Sequence, residues 1–138
     1  MRDTVRRVEY FYAIVSDKPG EAARILTTFS RAGVNLTGFS GFPHGSRRSQ
    51  LDFIPEDSAA FRQAAKQAGL QLSKKKVGFL IQGNDHSGAV ADVATKLAAA
   101  GINITAVDAV CAGAGRYGAL LWVKATDLRR AAKLLGAL

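Results

Sequence analysis

With 138 residues, 48% of them apolar and 22% charged, the chain has the length and mix of one ordinary globular domain or two small ones, which excludes a disordered tail. Its single cysteine, Cys111, excludes an internal disulfide, and no stretch approaches the roughly 20 apolar residues that span a bilayer. The net charge of +8 is spread over both halves, +3 up to Leu70 and +5 beyond, so it reads as a solvated basic surface before it reads as a nucleic-acid footprint.

Tyr10 to Val15 is apolar at every position and rich in aromatic and β-branched residues. That predicts a strand covered on both sides, and the run is too short for the core of a signal peptide. A soluble cytoplasmic protein is expected. Asp17 stands where a helix cap belongs, Pro19 has no N–H to leave unpaired in a first turn, and Gly20 permits unusual dihedrals. Ala22, Ile25, Leu26, Phe29 and Ala32 form one apolar helical stripe, which Gly33 ends. Asn35 to Ser40 reads as a second strand. Pro43 to Arg48 is turn chemistry, and Gln50 to Ile54 is a third strand closed by Pro55. Asp57 or Ser58 caps a second helix with Phe61, Ala64, Ala65 and Ala68 inward and Gly69 at its end. Leu70 to Ser73 can supply a short fourth strand.

The pattern then starts again. Val77 to Gln82 is a strand, followed by Asp85-His86-Ser87-Gly88. Val90, Val93, Ala94, Leu97 and Ala100 repeat the helix stripe, and Gly101-Ile102-Asn103-Ile104 repeats Gly33-Val34-Asn35-Leu36. Asp17 to Asp85, Gly20 to Gly88, Gly33 to Gly101 and Asn35 to Asn103 are all separated by 68 residues. A constant offset through two loops and a helix is the mark of a duplicated unit. Asn103 to Val110 and Ala119 to Val123 are strands around a turn at Ala112 to Arg116. Thr126 or Asp127 caps a last helix, and Gly136-Ala137-Leu138 is too short for a strand. The expected fold is α+β: two ferredoxin-like βαββαβ units in tandem, residues 7–73 and 74–138. Helices lie on one face of a largely antiparallel sheet, and the second unit lacks its last strand.

Little in the sequence points to catalysis. His44 and His86 lie in turns of different repeats, no Cys/His spacing fits a zinc site, and neither histidine has a sequence-level partner to form a nucleophile and base arrangement. No enzyme activity, metal or cofactor is expected. Gly113-Ala114-Gly115 joins two strands and opens no helix, so it lacks the geometry of a phosphate loop. A split-βαβ sheet is also the scaffold of the RNA-recognition motif, and Tyr10, Tyr12 and Trp122 lie in strands. The aromatic-glycine signature of that motif is nevertheless absent.

The repeated phrase resembles the ACT domain, a small regulatory module that binds amino acids. The first copy matches its pattern in Asp17-Lys18-Pro19-Gly20 and Gly33-Val34-Asn35-Leu36. The second departs from it only in the turn, where Ser87 replaces the proline. The resemblance covers almost the whole chain and leaves no room for an attached enzyme. It implies a non-catalytic regulatory protein that takes a small amino acid where two such units pair. The implied ligand-binding residues are Asp17, Lys18, Gly20, Asn35 and Leu36 in one copy and Asp85, Ser87, Gly88, Asn103 and Ile104 in the other. Asp17 with Asn35 is the more regular pair, and Asp85 with Asn103 is its counterpart. A carboxylate suits an α-ammonium group, and amides near Gly20 and Gly88 suit the carboxylate. Plain helix capping by the aspartates and backbone pairing by the asparagines stand beside that reading. A homodimer and a regulated enzyme in trans are the expected partners, while nucleic acid and membrane are not. The alternatives are a basic nucleic-acid-binding module or a protein-interaction module with a degenerate pocket.

Overall fold

The computed structural model describes residues 3–137, so Leu138, the last residue of the expected second repeat, lies outside the described residues. The element order is β1 (Thr4–Ser16), α1 (Glu21–Arg31), β2 (Leu36–Pro43), β3 (Arg48–Pro55), α2 (Ser58–Gln67), β4 (Lys76–Asn84), α3 (Ala89–Ala99), β5 (Ile104–Gly113), β6 (Arg116–Val123) and α4 (Leu128–Leu135). A short 3-10 turn, Ala125–Asp127, leads into α4. The chain is α+β and divides into two compact units: Glu9–Lys76, and a second that joins the residues up to Val8 to those from Val77 onward.

The first unit carries strands in the order β2-β3-β1, with both pairings antiparallel. Its core forms where the helix stripes meet alternate strand residues: Phe11 and Ala13, Leu51 and Phe53, Ile25 and Phe29, and Phe61, Ala64 and Ala65. Phe61 is fully buried, and its ring lies 4.6 Å from Phe29, 5.3 Å from Phe53 and 5.5 Å from Phe11, centroid to centroid. Burial along β1 alternates rather than being uniform. Phe11 and Ala13 are enclosed, whereas Tyr10, Tyr12 and Ile14 on the opposite face are only half-buried, because α1 and α2 pack on one face.

The fourth strand expected at Leu70 to Ser73 does not form. The Ser73 N–H donates to the Tyr12 carbonyl at 2.8 Å, but the Tyr12 N–H donates to the Ser73 hydroxyl at 2.9 Å instead of to a carbonyl. A side chain thus takes the return bond of the ladder, and regular pairing stops there.

In the second unit β4 pairs with β6 and β6 with β5, all antiparallel, and β1 lies on the other side of β4. The chain's own last element here is α4, so the position of the expected missing strand is filled from the start of the sequence. Val5 joins Phe79, Ile81, Val93, Leu97, Leu121 and Ala131 in one core cluster. Tyr117 reaches the same segment, donating its hydroxyl proton to an Asp3 carboxylate oxygen at 2.7 Å. One strand, β1, therefore serves both units: Thr4 to Val8 in the second, Glu9 to Ser16 in the first.

Candidate functional site

The two Asp-x-x-Gly turns are built alike. Each aspartate's backbone N–H donates to the tip of the neighbouring hairpin, Asp17 to the Arg47 carbonyl at 3.0 Å and Asp85 to the Gly115 carbonyl at 2.8 Å. The chain then turns through a glycine in the left-handed region, Gly20 at φ 88° and Gly88 at φ 86°, which caps the helix that follows. This corrects the capping role read for the aspartates. The N-caps are the glycines, and neither helix start receives a side-chain hydrogen bond. The carboxylates stand three residues before the caps and are left for other work. The Asp17 carboxylate makes no hydrogen bond or ion pair among the described residues, and the Asp85 carboxylate accepts from the Cys111 thiol.

The absence of a side-chain cap has a second consequence. Ala89 donates to the His86 carbonyl at 3.2 Å and Asp92 to the Gly88 carbonyl at 2.9 Å, but the Val90 and Ala91 amides between them have no acceptor among the described residues. Free amides at the start of a helix favour negative charge. The same holds for Ala22 and Ala23 in the first copy.

At the second copy Val90 and Ala91 are among the residues that line a groove of about 360 Å³ between the start of α3 and strand β5. Asp85, His86 and Cys111 supply its polar groups, and Ala89, Val90, Ala109, Val110 and Tyr117 its apolar wall. The His86 Nδ1 lies 3.0 Å from the Ser87 carbonyl, a geometry that suits an N–H donor there. The Cys111 thiol is held above its usual pKa, first by its hydrogen bond to Asp85, then by desolvation and the charge of Asp85, so it stays protonated at neutral pH. The volume falls in the lower part of the range of about 300–1,000 Å³ typical of small-molecule sites. Strand β5 is exposed along nearly its whole length, with Val107 at 43% and Val110 at 69%, and it pairs only with β6.

The other residues singled out in the sequence sit as follows. Gly88 lines the groove with Asp85; Ser87, Asn103 and Ile104 are not in its lining. Ile104 packs against the second core and Leu36 against the first. Asn103 is exposed just before β5. Asn35 is engaged within the fold: its amide donates to the Glu56 carboxylate at 2.7 Å, and its carbonyl accepts from the Glu56 N–H at 3.0 Å. Lys18 is exposed, 3.9 Å from Glu21. His86, though inside the repeated turn, and Cys111 and Tyr117 were not among the implied ligand-binding residues. Cys111 and Tyr117 reach the groove only through the β5–β6 register, which sets them opposite each other.

Comparison of the sequence with protein-family models and with curated proteins finds no match. Solved structures do match, over nearly the full chain. A Bacteroides thetaiotaomicron protein superposes with a TM-score of 0.82 at 15% identity, over 96% of this chain and 88% of its own. The ligand-free regulatory subunit of aspartate kinase from Thermus thermophilus superposes with a TM-score of 0.66 at 15% identity, covering 97% of this chain and 94% of that one. The corresponding Thermus flavus subunit gives 0.59 at 15% identity, over 99% and 95%. The fold is a tandem ACT fold. At these identities the likeness establishes architecture and leaves function to the residues themselves. Strand β2 is an edge strand in the first unit, and β5, which lines the groove beside the Asp85 turn, is an edge strand in the second. Among the described residues no helix is long and apolar enough to cross a membrane, and no cluster of His, Cys, Asp and Glu is arranged to hold a metal ion.

Proposed function

We propose that this tandem ACT chain is a regulatory module that binds a small α-amino acid and carries no chemistry of its own. The observation that supports it is the groove at the second copy, where Asp85, two free helix amides and an apolar wall lie together. An α-amino acid presents complementary groups: an ammonium for the carboxylate, a carboxylate for the amides, and a side chain for the wall. The groove is open on the side of β5, whose outer edge and exposed valines offer a surface for a second copy of the chain. Pairing of two copies there would close the site and give the homodimer expected from the sequence. A regulated enzyme in trans then receives the signal. The nucleic-acid reading is weaker, because Trp122 is 7% exposed and Tyr10 and Tyr12 are half-buried, so these three strand aromatics present no open platform to bases.

Calorimetric titration of the purified chain with each of the twenty amino acids is the test. At a hundredfold excess over Kd, binding adds about 2.7 kcal/mol of stability, which a melting curve also detects. Asp85→Ala should abolish the response while the fold survives, and sedimentation should show a dimer. No heat from any amino acid at millimolar concentration would overturn the reading.

A further inference from the structure

A second recess lies in the first unit, on the far side from its Asp17 turn in sequence and unconnected with the motif. It is an open trough of about 420 Å³ between α2 and the segment that failed to become a strand. Phe11, Leu70 and Leu72 form its floor, and Arg62, Lys66, Lys74 and Lys75 its rim. Arg62 and Lys66 are one helical turn apart and so project along the same side. Arg62 lies over the Phe11 ring, 5.0 Å from its centroid. Lys75 pairs with Glu9 at 3.3 Å. Lys66 and Lys74 form no ion pair among the described residues.

Four cations are thus answered by one carboxylate. That carboxylate reports on the local field: the Glu9 carboxyl lies below its ordinary range, through a hydrogen bond from Ser58 first, with Lys75 and Arg62 adding to it against the opposing effect of desolvation.

We propose that this trough docks an acidic, partly apolar segment of a partner protein, with glutamate or aspartate on the basic rim and a leucine or phenylalanine on the floor. The floor decides between this and other anions. Its one polar group, the Ser73 hydroxyl, already accepts from the Tyr12 N–H and donates to the Lys74 carbonyl, both at 2.9 Å. A small ligand would find no fixed donor to orient it. Phe11 is 1% exposed and covered by Arg62, so no base could stack on it. Flexible lysines over half-buried leucines suit an extended peptide, whose charges need not be placed to within a fraction of an ångström. The inference stands apart from the amino-acid reading and survives if that reading fails.

The probe is a short fluorescein-labelled peptide with glutamates flanking leucines, followed by anisotropy against the full chain. Binding should weaken with salt, and Lys66→Glu with Lys74→Glu should raise Kd by about tenfold or more. Both lysines are exposed, so circular dichroism and melting should be unchanged, which separates lost docking from lost fold. A peptide with serine in place of leucine should bind more weakly. Equal binding of that peptide, indifference to the charge reversals, or stronger binding of a single-stranded oligonucleotide would each overturn the proposal. Because amino-acid binding reads Asp85 and peptide binding reads Lys66 and Lys74, either can fail without the other.

Discussion

Tyr117→Phe isolates one bond. The ring is 5% exposed and packs in the second core, and phenylalanine keeps that packing, so the substitution removes only the hydroxyl and its 2.7 Å bond to Asp3. A hydrogen bond to a charged partner contributes about 1.5–3 kcal/mol, and the lower end applies because Asp3 is exposed and regains water when the bond is lost. The expected loss is about 1–2 kcal/mol, or a fall in Tm of about 3–7 °C for a chain of this size. The pH dependence gives a second reading. Burial, the Asp3 bond and the charges of Asp3 and Asp92 push the Tyr117 hydroxyl well above its ordinary value of 10.0, against the opposing pull of Arg116. With the folded-state pKa raised, the unfolded chain loses this proton first as pH climbs past 10. The stabilisation is therefore complete below pH 10 and declines above it. Urea unfolding of both proteins, followed by circular dichroism at pH 7, 9 and 11, should show a gap that is constant up to pH 9 and narrows at 11. Other titrating groups are common to both proteins and cancel in the difference. A gap under about 0.5 kcal/mol at pH 7, or one that widens at pH 11, would refute the reasoning.

Phe61→Ala should cost about 3–5 kcal/mol, since the ring is fully buried among Phe11, Phe29 and Phe53, and hydrogen exchange should quicken in Glu9–Lys76. A loss below 1 kcal/mol would mean the cluster collapses to fill the space. Asp85→Ala should speed alkylation of Cys111 at pH 8, because the thiol loses the acceptor and charge that keep it protonated; an unchanged rate contradicts that contact. Tyr10, raised to about 12 first by burial and then by the nearby charges of Asp52 and Tyr12, should ionise late in an absorbance titration at alkaline pH. Release at the ordinary tyrosine pH would show that position to be open to water.

Much of the fold could be read from local chemistry. The helix stripes, the terminating Gly33, Gly69 and Gly101 at positive φ, the Asp57 cap accepting from the Ala60 N–H, and Pro55 at the end of β3 all follow from residues within a turn of one another. What escaped depends on partners distant in sequence. The apolar run in β1 marks a strand but not which strands lie beside it, so the service of Thr4 to Val8 to the second unit was hidden. Asp17 and Asp85 look like caps from composition alone. Only the backbone shows that the chain needs a left-handed residue there and gives the position to glycine. The aspartates, Gly88 and the repeat were visible, but the groove also needs Cys111 and Tyr117, which are brought together by a hairpin register and carry no motif.

The division of β1 between the two units has a consequence for how the chain is made. Thr4 is made well before its partner, since its hydroxyl donates to the Gln82 carbonyl, 78 positions later, and Asp3 waits for Tyr117, 114 positions later. Contacts so far apart in sequence form slowly. The first unit has all its elements once Lys76 has emerged. The second cannot close until the segment ahead of Glu9, still unpaired on the nascent chain, is recruited by strands synthesised after Lys76. A fusion or tag placed ahead of β1 would therefore burden the maturation of the later-made unit, not of the one it adjoins in sequence.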